Sequence, residues 1–185
     1  MAHSGKHKSK MKPAGRRKGV RGAATVRADD KLLRAHLAKL LDADTAHVNF
    51  EKTIAGWPAA HRAMKPEGAP YNAWQLLEHL RIAEWDILEF CRNPKHVSPG
   101  WPSGYWPSSA VPPNAEAWDA SVKAFRADCE AMQKLVENPK TNLFARIPHG
   151  TGQTILREVL LAADRNAYHL GQLVLLRKML GNWPE

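Results

Sequence analysis

The sequence predicts an all-α fold, four long helices packed as a bundle, and three observations lead there. Apolar residues recur near the 3.6-residue period in four separate segments. Capping and breaking residues stand at the ends of those segments, among them Asn72, Asn93-Pro94 and Gly181. No run alternates apolar and polar residues long enough for a regular strand, although residues 143–147 can extend briefly.

The first helix is expected from about residue 30 to residue 50 or a little beyond. Asp29 or Asp30 would cap it, and Leu33, Leu37, Leu40, Leu41 and Val48 form its stripe. The second is expected to start after Asn72, with Gln75 as capping-box partner. Its stripe is Leu76, Leu80, Ala83, Ile87 and Phe90, and Asn93-Pro94 ends it, because a residue before proline is pushed out of the α region. The third follows Asn114 and stops near Asn138-Pro139, with Trp118, Val122, Phe125, Cys129, Met132 and Val136 inward. The fourth starts near Thr154 and ends at Gly181, with Leu156, Leu160, Ala163, Leu170, Val174 and Leu175 on its stripe. Arg177 and Lys178 in its last turn suit the helix dipole. Residues 94–113, between the second and third helices, form a long loop with six prolines, Trp101, Tyr105 and Trp106. A loop of that length either covers a functional site or plugs one end of the bundle with its aromatics.

Charge divides the chain. Of 185 residues, 27 are Lys or Arg and 18 are Asp or Glu, a formal net charge of +9. Residues 1–28 hold nine of the basic residues and no acid, which leaves 18 of each sign in residues 29–185. Residues 1–28 also lack Phe, Tyr, Trp, Leu and Ile, so they are expected to be a disordered basic tail, and residues 29–185 the folded domain. The tail reads as a solubilising segment or as an arm for nucleic acid. No run approaches the ~18 apolar residues of a membrane span. No apolar stretch follows the basic N-terminus as a secretory signal requires. Cys91 and Cys129 form no CxxC motif, so a reducing cytoplasm is the expected setting and both thiols read as packing groups.

Chemistry centres on three of the nine histidines, those expected within long helices: His47, His79 and His169. His3 and His7 fall in the tail, His36 and His61 read as surface positions, and His96 and His149 as loop residues. Helix bundles build metal sites from inward-facing histidines and carboxylates, and a catalytic metal usually takes three protein ligands and an open position. The residue one turn before His169 is Arg165, a permanent cation that cannot ligate a metal.

Two segments also carry a resemblance. Residues 164–173, Asp-Arg-Asn-Ala-Tyr-His-Leu-Gly-Gln-Leu, resemble the last-helix signature of DinB/YfiT-like proteins, and residues 74–83, Trp-Gln-Leu-Leu-Glu-His-Leu-Arg-Ile-Ala, resemble their second-helix signature. The stretches 96–102 and 104–107 look like one bacterial subgroup of that family, and the likeness spans about residues 30–182. The resemblance implies an up-down-down-up four-helix bundle, often a homodimer. It implies a divalent metal, zinc or nickel, held by three histidines, and an activity of thiol-dependent transferase or hydrolase type with low-molecular-weight thiols. On that pattern the second-helix ligand is His79, the second last-helix ligand is His169, and the first last-helix ligand falls on Arg165. The triad is therefore degenerate, and His47 is the residue that can complete it.

Arg165 also supports a different expectation. A guanidinium in a His-lined cavity, with Tyr168 and Gln172 nearby on the helix, suits a carboxylate or phosphate ligand. The plainer version is an internal ion pair from Arg165 to Glu78 or Asp86. Three functions follow: a metal-dependent enzyme using His79, His169 and His47; a metal-free binding or structural module of the same fold; and nucleic-acid association through residues 1–28.

Overall fold

The structure is a computed structural model that describes residues 23–42 and 46–184. Among these residues the chain is all-α, with five α-helices and no strand. The helices are α1 (Ala23–Asp42), α2 (Phe50–Ile54), α3 (Ala73–Arg92), α4 (Ala117–Glu137) and α5 (Ile155–Met179), with single 3₁₀ turns at Ala59–His61 and Ser103–Tyr105. Each of the four long helices packs against two others: α3 and α1 both lie against α4 and α5. The short α2 packs on α5.

The caps explain the boundaries. Asn72 accepts from Gln75 N at 2.9 Å, and Gln75 Oε1 accepts from Asn72 N at 3.1 Å, so the expected capping box starts α3. Asn72 Nδ2 also donates to Ala63 and Ala110 carbonyls, which ties two loops to that helix end. Thr154 Oγ1 accepts from Arg157 N and starts α5, while Gly181 takes φ +64° just past its end, as a C′ glycine does. Residues 143–147 extend only to an isolated bridge between Arg146 and Thr154.

The first helix differs from the expectation at both ends. Asp29 and Asp30 lie inside α1, because the alanine-rich stretch from Ala23 is helix-competent without any large apolar residue. The last six residues assigned to the basic tail are thus helical, and the rest of that segment lies outside the described residues. At its other end the helix stops at Asp42. Asn49 then caps α2 by accepting from Lys52 N. Val48 and His47 fall between the two helices, and His47 is exposed.

Two apolar clusters form the core. One joins α2 to the N-terminal halves of α3 and α4 and the C-terminal half of α5, around Trp57, Trp74, Leu77, Trp118, Phe125 and Leu173. The other joins α1 to the C-terminal halves of α3 and α4 and the start of α5, around Leu37, Leu88, Met132, Val136, Leu143 and Val159. Equal halves of α3 and α4 share each cluster, so these helices run in the same direction and α5 runs against them. Returning from the end of α3 to the start of α4 means travelling the length of a 20-residue helix, about 30 Å. The long 94–113 loop makes that journey, and its path lays Tyr105 and Trp106 against α3.

Two buried arginines close the helix ends. Arg34 on α1 donates to Val136 O at 2.7 Å, Asn138 O at 2.9 Å and Thr141 O at 2.8 Å, supplying partners where α4 runs out of them. Arg177 on α5 donates to Thr53 O and Ala55 O at the end of α2 and stacks on Trp57.

Candidate functional site

Two of the three singled-out histidines meet. His79 on α3 and His169 on α5 are both buried, with ring centroids 4.6 Å apart and planes nearly perpendicular. Their burial follows from register, since His79 precedes Leu80 on the inner stripe and His169 precedes Leu170. His47 is not part of this pair. It sits in the connection between α1 and α2, with its Nδ1 on Val48 O at 3.1 Å, because the first helix ends before it.

The bonding pattern of His79 fixes its tautomer. Its Nδ1 lies 2.7 Å from Tyr105 O, and a carbonyl only accepts, so Nδ1 carries the proton. The lone pair is then on Nε2, and Arg165 Nη2 donates to it at 3.1 Å. One ring face stacks on Trp106 at 4.1 Å, and Trp106 stacks in turn against Tyr71. Burial pushes the His79 pKa down to about 4. His169 and Arg165 add to the shift, and the Tyr105 bond opposes it. The ring is therefore neutral at pH 7. His169 is also held below the ordinary histidine range by burial, while its Nδ1–H donates to Gln172 Oε1 at 3.0 Å. Tyr168 points largely to solvent and meets the His169 ring edge-on.

Arg165 has no carboxylate partner among the described residues. The two candidates are engaged elsewhere. Glu78 accepts from Arg81 Nε at 2.7 Å, Arg81 Nη2 at 2.8 Å and Ser121 Oγ at 2.5 Å. Asp86 pairs with His96 Nε2 at 2.7 Å and accepts from Tyr105 Oη at 2.7 Å. Asp86 and Glu84 act on the guanidinium only through longer-range attraction. Arg165 Nε is buried without a partner, and burial pulls the group's pKa below its ordinary value. Arg165 opens into a cleft of about 270 Å³ between α3 and α5, roofed by the 94–113 loop.

These donors do not fit a metal. A cation needs the lone pair on His79 Nε2, which the guanidinium occupies, and arginine cannot serve as a ligand. Among the described residues no group of three His, Cys, Asp or Glu is placed to hold a metal ion.

Sequence reasoning missed three features. The Asp86–Tyr105–His96 network pins the long loop over α3, and only the loop's aromatic content signalled it. Trp106 seals the His79 face. The third is Glu84, 1 % exposed between the two core clusters. Its Oε2 accepts from Asn166 Nδ2 at 2.9 Å and its Oε1 is unpartnered. Burial raises its pKa to about 7 against the opposing bond from Asn166. A glutamate four residues after Leu80 and three before Ile87, on the inner stripe, was a visible anomaly in the sequence. Cys129 lies near it, and burial holds that thiol well above its ordinary value, so it is unreactive. No family model matches this chain, and no curated protein or solved structure matches it either.

Proposed function

We propose that this chain is a DinB/YfiT-like four-helix bundle in which Arg165 stands at the metal position, and that it is a metal-independent receptor for a small anionic ligand. The observation that carries this reading is the 3.1 Å bond from Arg165 Nη2 to His79 Nε2, made by a guanidinium with no carboxylate of its own. The parallel course of α3 and α4, with the long loop between them, supports the up-down-down-up arrangement that the resemblance implies. A half-buried cation with no carboxylate bonded to it is under-compensated, even with Asp86 and Glu84 attracting it from further off. A bound carboxylate would neutralise it and accept two N–H bonds from one edge of the fork. His79 then acts as a positioning residue. Its neutral Nε2 holds one arm of the guanidinium, Tyr105 O fixes the ring's tautomer, and Trp106 fixes its plane.

Calorimetric titration of the full chain with acetate and with benzoate, beside Arg165→Met, tests the reading. Binding to the wild type that falls by roughly thirtyfold or more in the variant is the expected result, in line with losing a charge-assisted partner. Equal affinity in both proteins would overturn it.

A further inference from the structure

The cleft beyond Arg165 says more about the ligand than its charge. We infer that it receives a monocarboxylate with an apolar body, the carboxylate on Arg165 and the body lying along Leu161 and Ile87 beneath Trp101. The inference rests on the reading of Arg165 as an anion receptor and adds the substrate class.

Three observations carry it. First, one guanidinium in the cleft wall has no carboxylate bonded to it among the described residues. Arg157 donates to Glu158 at 2.7 Å, and Asp86 is held by His96 and Tyr105, which leaves Arg165. A single carboxylate matches that one guanidinium. A dianion such as phosphate would bring a second negative charge towards Asp86 and Glu158 in the same wall. Second, apolar side chains share the cleft wall with the polar ones: Ala83, Ile87 and Phe90 from α3 and Leu161 from α5. At about 270 Å³ the space is just below the ~300–1,000 Å³ of sites for drug-sized ligands, so the body is small. Third, the roof is incomplete. Trp101 leaves 75 % of its surface exposed while meeting Tyr105 edge-on at 5.6 Å, and an apolar ligand beneath it would cover an indole that now faces water.

The roof does not hang freely. Tyr105 is bonded to Asp86 by its hydroxyl and to His79 by its carbonyl, so the loop is pinned on either side of Trp101 by His96 and Tyr105. The Trp101 side chain can therefore reorient over a ligand while the loop backbone keeps its place. Residues 94–113 thus cover the Arg165 cleft through Ser98, Trp101 and Tyr105.

The test is a homologous series titrated into the full chain by calorimetry: acetate, butyrate, hexanoate and 3-phenylpropionate, with 3-phenylpropanamide and inorganic phosphate as controls. Tryptophan emission is followed in parallel. Affinity should rise roughly fourfold per added methylene until the cleft is full, as apolar burial dictates. The neutral amide should bind roughly thirtyfold more weakly than its acid. Phosphate should bind more weakly than acetate, and the emission change should vanish in Trp101→Ala. If the carboxylates all bind equally and depend on Arg165, the anion reading stands and the apolar-body inference is wrong. Phosphate binding tighter than every carboxylate also overturns the inference. If acid and amide bind alike in the wild type, both readings fall, whatever the folding of any variant.

Discussion

Replacing Glu84 with glutamine should stabilise the protein at alkaline pH and do little at acidic pH. The Glu84 carboxyl is buried between α3 and α5, holds one bond from Asn166, and titrates near 7 instead of near 4.5. Between those values the folded state binds a proton that the unfolded state has released. Stability therefore falls as pH rises through this window: the contribution is complete below about 4.5 and lost above about 7. At about 1.4 kcal/mol per pH unit, the interval from 4.5 to about 7 corresponds to about 3 kcal/mol. Glutamine keeps an oxygen for Asn166 Nδ2 and has no charge to bury. Urea denaturation of both proteins at pH 5 and pH 8 reads the difference. The stability gap should move by about 2.5 kcal/mol in favour of Glu84→Gln between the two pH values, because a part of the contribution is already lost at pH 5. A gap that stays constant within ~1 kcal/mol would refute a buried, proton-holding Glu84.

Three further outcomes follow from the same geometry. The His79 imidazole should titrate near pH 4 in two-dimensional ¹⁵N spectra, with the proton on Nδ1 above that point, and Arg165→Met should move its pKa upward. Since this histidine is depressed when folded, its contribution to stability is present above about 6.5 and lost as pH falls toward 4, opposite in sign to Glu84. Arg34→Ala should destabilise the protein by about 3 kcal/mol in urea titrations, because three carbonyls around the end of α4 lose their donor. Tyr105→Phe removes the hydroxyl bond to Asp86 and should loosen the 94–113 loop, raising amide hydrogen exchange there while leaving that of α4 unchanged.

What could be read from the sequence was local chemistry with a single solution. The Asn72–Gln75 box and the Thr154 and Gly181 ends lie within a few residues of what they cap, and all three are found where expected. The all-helical class followed from periodicity. The first helix was misplaced because aspartates were read as caps when an alanine-rich run could carry the helix through them, and because Asn49 starts a new helix. That error carried His47 into a helix and into the candidate ligand set. At the site, the juxtaposition of His79 and His169, whose rings lie 4.6 Å apart, was implied by the resemblance of residues 74–83 and 164–173 and not by helical periodicity. The partner of Arg165 was not legible. Glu78 is claimed by Arg81 three residues away, a competition visible in the sequence, but Asp86 is claimed by His96 and Tyr105 from a loop whose path depends on the parallel course of α3 and α4. Local pattern does not encode that path.

In the proposed function Arg165 holds the place a metal would take on His79. Elemental analysis of the untagged protein after dialysis against zinc, beside Arg165→His, tests it most directly. The wild type should hold no stoichiometric zinc. The variant should hold about one zinc per chain, since three histidines on two facing helices make up a three-ligand site. About one zinc per wild-type chain, lost in His79→Ala, would contradict it.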